Sequence, residues 1–347
     1  MGKKFVKRIL SIGAVLALGV GMMGCSSDNG GDGTETGTAE STTTESSSDE
    51  KIKIGISQFV EHTALDSARE GFEEALKDEG YGEDKVDIDY QNAQADSAIN
   101  DNIAKKFASE KKDLLFGIST QSAQSLYNAD KETPIVITAV TDPVGAEVVK
   151  SLEKPETNVT GTTDNIDIEV QFKLIKELLP EAKKVGILFN SAEQNSEVQV
   201  KKAKEKAPDF GFEIVEGGVT GTNDVAQVTD SIVDKVDVIY VPTDNIVVSS
   251  LPVVYDRTIG KKVPIIGSEK GQVENGALAT EGINYKDLGY QTGKMAVRIL
   301  NGEKPQDMPI ESTETFDLII NEDTLEKLGI ELPDSVKERA EMIGSEK

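Results

Sequence analysis

The feature that most constrains this chain is an order of short segments that occurs twice. Lys53-Ile54-Gly55-Ile56 is echoed by Lys184-Val185-Gly186-Ile187, Asp113-Leu114-Leu115-Phe116 by Asp237-Val238-Ile239-Tyr240, and Thr133-Pro134-Ile135-Val136 by Val263-Pro264-Ile265-Ile266. The offsets are 131, 124 and 130 residues. Any parallel sheet places β-branched strands after charged turns, so one match alone says little. Three matches in the same order at nearly one offset indicate two lobes of one topology. Strands are expected at 51–57, 86–90, 113–118 and 134–139, with helical stripes between them. Leu65, Ala68, Phe72, Ala75 and Leu76 form the first stripe, with Thr63 placed to cap its start and Gly80 its end. Strands alternating with helices give βαβ units, hence an α/β fold of two similar, doubly wound parallel-sheet lobes joined by a hinge.

In open α/β sheets ligands bind beyond the carboxyl ends of the strands, where helix N-termini also point. The residues at those ends are polar in both halves. Ser57-Gln58-Phe59, Ser119-Thr120-Gln121-Ser122 and Thr141-Asp142-Pro143 follow strands of the first half; Asn190-Ser191, Thr243-Asp244-Asn245 and Ser268-Glu269 follow those of the second. Each Ser, Thr, Asp or Asn has helix capping as its alternative duty, and both roles coexist because a cap exposes neighbouring amides. Two such rims face to face make a polar cleft. A zwitterion there would find donors for its carboxylate near Ser119–Ser122 and an acidic partner for its ammonium in Asp142, Asp244 or Glu269. Phe59 and Phe189, just past equivalent first strands, are either ring contacts for a ligand or core aromatics. The rim segments contain no arginine, which disfavours dicarboxylates and phosphorylated ligands.

Lobe 1 is expected to span 51–162 plus about 287–305, and lobe 2 163–286 plus about 306–347, with crossings near 160–164 and 283–287. Leu288, Thr292, Met295 and Ile299 form a late helix closed by Asn301-Gly302, followed by Pro305.

The N-terminus reads as an address. Lys3, Lys4, Lys7 and Arg8 precede an apolar run from Ile9 to Val20, too short to span a bilayer, as in a secretory signal over 1–24. It ends at Met22-Met23-Gly24-Cys25, which resembles the lipobox of bacterial lipoproteins and makes Cys25 the expected lipidation site. Residues 25–50 then form a polar, acidic tether. Such a stretch has an r.m.s. reach of roughly 25–30 Å. Signal removal deepens the net charge from −25 to −29, and 62 acidic against 37 basic residues argue against nucleic acid as a partner. The expected location is the extracytoplasmic face of the cell membrane, reached by lipid alone.

No phosphate loop, zinc, nucleophile-elbow, calcium-loop or dinucleotide motif is present, and no cofactor is expected. His62, the chain's one histidine, is a possible general base beside Glu61 or Asp66. No nucleophile motif accompanies it, so it reads as a loop histidine lining the cleft or packing beside the first helix.

Five separated motifs then carry a resemblance: Gln58-Phe59-Val60-Glu61-His62, Val140-Thr141-Asp142-Pro143-Val144, Asn158-Val159-Thr160-Gly161, Glu193-Gln194-Asn195-Ser196 and Pro242-Thr243-Asp244-Asn245. Over nearly the whole mature chain the sequence resembles ABC-transporter substrate-binding lipoproteins of the tryptophan/tyrosine-binding type. The resemblance implies a type I periplasmic-binding-protein-like fold without enzymatic activity, closing on an amino acid and delivering it to a permease with its ATPase. It places Gln58, Thr141, Asp142, Asn190, Asn195, Ser196, Asp244 and Asn245 in cleft segments, and it motivates an aromatic ligand, Tyr or Trp. With the rim reading, the candidate site also includes Phe59, Ser119, Thr120, Gln121, Phe189, Glu193, Thr243 and Glu269. Where relatives have a Thr-Pro-Ala-Ala stretch this chain has Thr120-Gln121-Ser122-Ala123, so a polar Gln121 enters the cleft. The alternative function is a surface adhesion or sensing lipoprotein on the same ligand-binding fold.

Overall fold

The structure, a computed structural model, describes residues 50–313 and 316–344. The signal segment, Cys25 and the tether up to residue 49 lie outside the described residues. Among the described residues no helix is long and apolar enough to cross a membrane.

The first half runs β1 (Ile52–Gln58), α1 (Thr63–Asp78), β2 (Val86–Asn92), α2 (Ser97–Glu110), β3 (Leu114–Ile118), α3 (Thr120–Ala129), β4 (Ile135–Thr138) and β5 (Val159–Thr163). The second runs α4 (Ile168–Leu178), β6 (Lys184–Asn190), α5 (Gln194–Lys206), β7 (Glu213–Val219), α6 (Val225–Ile232), β8 (Val238–Tyr240), α7 (Asn245–Ser249), α8 (Leu251–Thr258), β9 (Ile265–Ile266), α9 (Lys270–Glu274) and β10 (Ala279–Gly282). Then follow α10 (Tyr285–Leu300), β11 (Glu311–Ser312), β12 (Asp317–Asn321), α11 (Glu322–Leu328), α12 (Asp334–Lys337) and β13 (Glu341–Ile343).

The sheets are ordered β11-β5-β4-β3-β1-β2 and β13-β12-β10-β9-β8-β6-β7. The series 2-1-3-4-5 and 7-6-8-9-10 are the same topology. The three echoed segments fall at β1 and β6, β3 and β8, and β4 and β9, which occupy equivalent places. Pairing is parallel throughout the first sheet; in the second only β10 with β12 is antiparallel. Both sheets are covered on both faces, as the continuous apolar runs require. Alternation along β3 sends Leu114, Phe116 and Ile118 to the core under α1 and α10, and Leu115 to the core under α2 and α3. Phe72 stacks on Phe116 with centroids 4.0 Å apart.

The chain leaves the first sheet after β5, returns after β10 through α10, and passes a third time from β11, paired with β5, to β12, paired with β10. The C-terminal segment, expected in lobe 2 from about residue 306, is thus divided. β11 stays with the first sheet because Glu311 and Ser312 extend the edge beside Thr162 and Thr163. Helix α10 lies on α1 at glycine-mediated backbone contact: a Cβ on Gly289 would sit 1.9 Å from the Ala68 carbonyl oxygen, and one on Gly71 2.0 Å from that of Lys286. At the start of α1 the cap position is His62, whose side chain makes no capping bond, so Thr63 is the first helical residue and not the cap.

Candidate functional site

The carboxyl ends of β1, β4, β8 and β9 bring loops of both lobes around a small enclosed cavity lined by His62, Ala64, Leu65, Ala139, Asp164, Asn195, Thr243, Asp244, Asn245, Val248, Glu269 and Tyr285. Its volume is about 20 Å³, room for a group the size of a water molecule. Larger depressions along the outer faces of α5 and α1 are open to solvent and lie away from the strand ends.

The lobe 2 wall is a hydrogen-bonded platform. Asp244 Oδ2 accepts from the Asn190 amide at 2.5 Å and the Ser196 hydroxyl at 2.6 Å, while Oδ1 caps α7 at the Val247 amide, 2.8 Å. Glu193 accepts from Asn245 Nδ2 at 2.6 Å and from the amides of Asn245 and Ile246, both at 3.2 Å. It also receives Asn195 Nδ2 at 3.2 Å and Asn190 Nδ2 at 3.3 Å. Asn190, Glu193 and Ser196 therefore hold the cavity wall from behind. Glu269, 2% exposed, bonds the Gly271 amide through Oε2, and its Oε1 has no partner.

The lobe 1 wall carries Asp164, directly after β5, which accepts from Thr141 Oγ1 at 2.8 Å and from Tyr285 Oη at 2.5 Å. Tyr285 opens α10, so this bond ties two of the lobe crossings together. Between lobes the contacts are few: Thr141 with Thr243 at 3.3 Å, His62 Nε2 with Asn245 Oδ1 at 3.4 Å, Asn245 Nδ2 to Gln121 Oε1 at 3.4 Å, and Asn275 Nδ2 to Thr63 Oγ1 at 3.1 Å.

The structure brings five of the candidate residues to the cavity: Asn195, Thr243, Asp244, Asn245 and Glu269. Gln121 and Thr141 reach across to two of them. Ser119 caps α3 through the Ser122 amide, and Thr120 is buried beside it. Gln58 donates to Asp66 at 2.7 Å, behind the rim. Three expected ligand contacts lie elsewhere. Asp142 closes a turn on the Gly145 amide at 2.9 Å, as Asp commonly does in a loop. Phe59 is buried with Ala93, Ile103, Phe107 and Val140. Phe189 alternates with Val185 and Ile187 onto the face of β6 that packs into the lobe 2 core. Leu65, read only as part of a helix stripe, and Ala64, given no role, reach the cavity. Asp164 and Tyr285 fall inside the expected crossings but carried no site role; a polar residue directly after a strand, at a crossing, is the signal that would have marked Asp164.

The electrostatics are one-sided. Burial raises Asp164, against bonds from Tyr285 and Thr141 that favour its charge. Burial and the Glu193 charge raise Asp244, and burial lifts Glu269 to about 7. Burial lowers His62 to about 4, so it is neutral. No Lys or Arg is among the lining residues.

A cleft at equivalent strand ends of two duplicated lobes defines the class of binding proteins, and comparison identifies the family. Residues 53–343 match the family model described as ABC transporter substrate binding protein, and the chain belongs to that family. It is 46% identical over 327 residues, covering 94% of this chain and 93% of the relative, to the tyrosine-binding protein of Clostridioides difficile (strain R20291). Among solved structures, an ABC domain from Streptococcus pneumonia in complex with L-Trp is 39% identical with TM-score 0.82, covering 84% of this chain and 99% of that one. The ligand-free, open structure of a substrate binding protein with adhesive properties from Clostridium difficile is 51% identical with TM-score 0.66, covering 85% and 100%. Type I periplasmic-binding-protein-like structures, such as the myo-inositol-bound solute binding protein from Bacillus halodurans, share the fold at 17% identity and TM-score 0.59.

Proposed function

We propose that this chain is an extracytoplasmic receptor of an ABC importer, anchored by a lipid on Cys25, that captures an aromatic amino acid between its lobes and delivers it to a permease with its ATPase. The observation that carries the reading is the interlobe cavity with its buried, unpartnered Glu269 Oε1 and no basic residue, a place for an ammonium group. The relatives' ligands, tyrosine and L-Trp, support the aromatic class. Ala64, Leu65, Ala139 and Val248 are the apolar part of the lining; at about 20 Å³ the cavity holds the ammonium group alone, and the aromatic side chain needs the lobes further apart than they stand here.

Capture proceeds by hinge closure at the crossings. The contrast between relatives supports this: the more identical one, open and ligand-free, superposes less well than the less identical L-Trp complex. With lobes of one fold, a difference in lobe angle would produce that inversion. The protein releases its ligand unchanged. A second reading, surface adhesion with the same fold, is favoured by the adhesive properties of one relative.

Calorimetry against the twenty amino acids tests the ligand. Binding confined to Tyr, Trp or Phe supports the reading, and a sugar or peptide binding in their place refutes it. Small-angle scattering with saturating ligand should give a smaller radius of gyration; an unchanged profile would count against closure.

A further inference from the structure

The cavity wall is uniform in hydrogen-bonding sense. Three side-chain atoms of its lining residues are buried without a partner: Glu269 Oε1, Asn195 Oδ1 and His62 Nδ1. Glu269 and Asn195 are 2% and 3% exposed, so water does not satisfy them freely. The first two atoms are acceptors by chemistry. The third is an acceptor by assignment: Asn245 Nδ2 donates to Glu193 at 2.6 Å, which turns Asn245 Oδ1 towards His62. His62 Nε2 then bears the proton, and Nδ1 of the neutral ring keeps its lone pair.

The donors of the same wall are already engaged. Tyr285 gives its hydroxyl proton to Asp164, Asn245 Nδ2 serves Glu193, and Asn195 Nδ2 lies 2.8 Å from the Thr243 carbonyl oxygen. The space enclosed is the size of one ammonium group. A buried acceptor left unmade costs its full desolvation, so such a wall selects a ligand group that only donates and carries positive charge. A carboxylate entering here would meet apolar side chains, acceptors and acidic residues, with no Lys or Arg among the lining residues.

We infer that recognition in this cleft is dominated by the ammonium group, so that its ligands extend to primary arylalkylamines lacking the α-carboxylate. This deepens the proposed function and rests on the same cleft. An aromatic amino acid and its decarboxylated amine present the same three N–H donors and the same ring; the des-amino acid presents the ring and a carboxylate.

The test is calorimetry on the purified full chain at pH 8 with L-tyrosine, tyramine and 3-(4-hydroxyphenyl)propionate. Tyramine is expected to bind at least tenfold more tightly than the propionate. Glu269→Gln, with a melting curve confirming its fold, should weaken tyramine at least tenfold. Tyramine binding no better than the propionate, or neither binding, overturns the inference, and this comparison on the unaltered protein needs no variant. L-Tyrosine and L-tryptophan failing to bind while tyramine binds would refute the amino-acid function and leave amine recognition standing. L-Tyrosine binding while tyramine fails would do the reverse.

Discussion

Replacing Tyr285 by phenylalanine removes one oxygen from the junction of two lobe crossings and keeps the ring in place. The hydroxyl lies 2.5 Å from Asp164 Oδ2, with Tyr285 6% and Asp164 3% exposed. Asp164 retains only its 2.8 Å bond from Thr141 among side chains. A hydrogen bond to a charged group contributes about 1.5–3 kcal/mol, one to a neutral group about 1. Burial raises Asp164, so its charge state sets which figure applies. Below the ordinary aspartate range the folded protein holds Asp164 protonated, and Tyr285→Phe should cost about 1 kcal/mol. As pH rises through the raised native value the acid ionises and the cost should approach 2–3 kcal/mol. At roughly 2–4 °C per kcal/mol for a protein of this size, the melting temperature should fall by about 4–12 °C once the acid is ionised, and by less while it is protonated. Melting of the wild type, Tyr285→Phe, Asp164→Asn and the double variant gives the coupling energy directly. A value below about 0.5 kcal/mol, or a loss that shrinks as pH rises, would refute the reasoning.

Gly289→Ala should cost at least about 3 kcal/mol or abolish soluble expression, because its Cβ would lie 1.9 Å from the Ala68 carbonyl oxygen, whereas Gly260→Ala meets nothing within 4 Å and should melt like the wild type. Glu269, raised from 4.5 to about 7, binds more protons folded than unfolded between those values. Ligand-free stability from this group is therefore full below about 4.5 and falls as pH rises to about 7, by about 3 kcal/mol; a pH series of melts should show it, and Glu269→Gln should reduce the fall by that amount, leaving the part that the raised Asp244 and Asp164 carry. Cys25→Ala should leave uncleaved or released protein without lipid, and mass spectrometry finding a mature N-terminus beyond residue 25 without an acyl group would reject the anchor.

The architecture was legible because it is local and repeated. β-branched runs and helical stripes locate the strands of the first half and their echoes in the second, and a shared offset implies a shared sheet order without any knowledge of contacts. What the sequence did not disclose is long-range. The split of the C-terminal segment depends on Glu311 and Ser312 pairing with residues 149 positions earlier, and two residues of strand carry no periodicity to read. Phe59 directly follows β1 whereas Phe189 lies within β6, and one-residue differences in where a side chain turns decide between cleft and core. Asp142, Ser119 and Asp244 illustrate the same limit for polar residues. All three follow strands and all three cap or close backbone. Only Asp244 also meets the cavity, because α7 brings it beside Asn195 and Asn245.

The residues that sequence reasoning left out of the site, Asp164 and Tyr285, explain how binding and closure are linked in the proposed receptor. Asp164, Asp244 and Glu269 are buried around the cavity with no basic side chain among the lining residues. Removing carboxylates from water without a counter-charge is costly, and the cost appears as their raised pKa values. Of the four hydrogen bonds named between the lobes three are long, 3.3–3.4 Å, and one is 3.1 Å and exposed, so together they contribute little against it. A ligand ammonium supplies both the missing charge and donors for the unpartnered atoms, and it does so only when both walls surround it. The differential affinity for the closed form is then the ligand's own, which is the condition for a receptor that stays open when empty and closes when loaded.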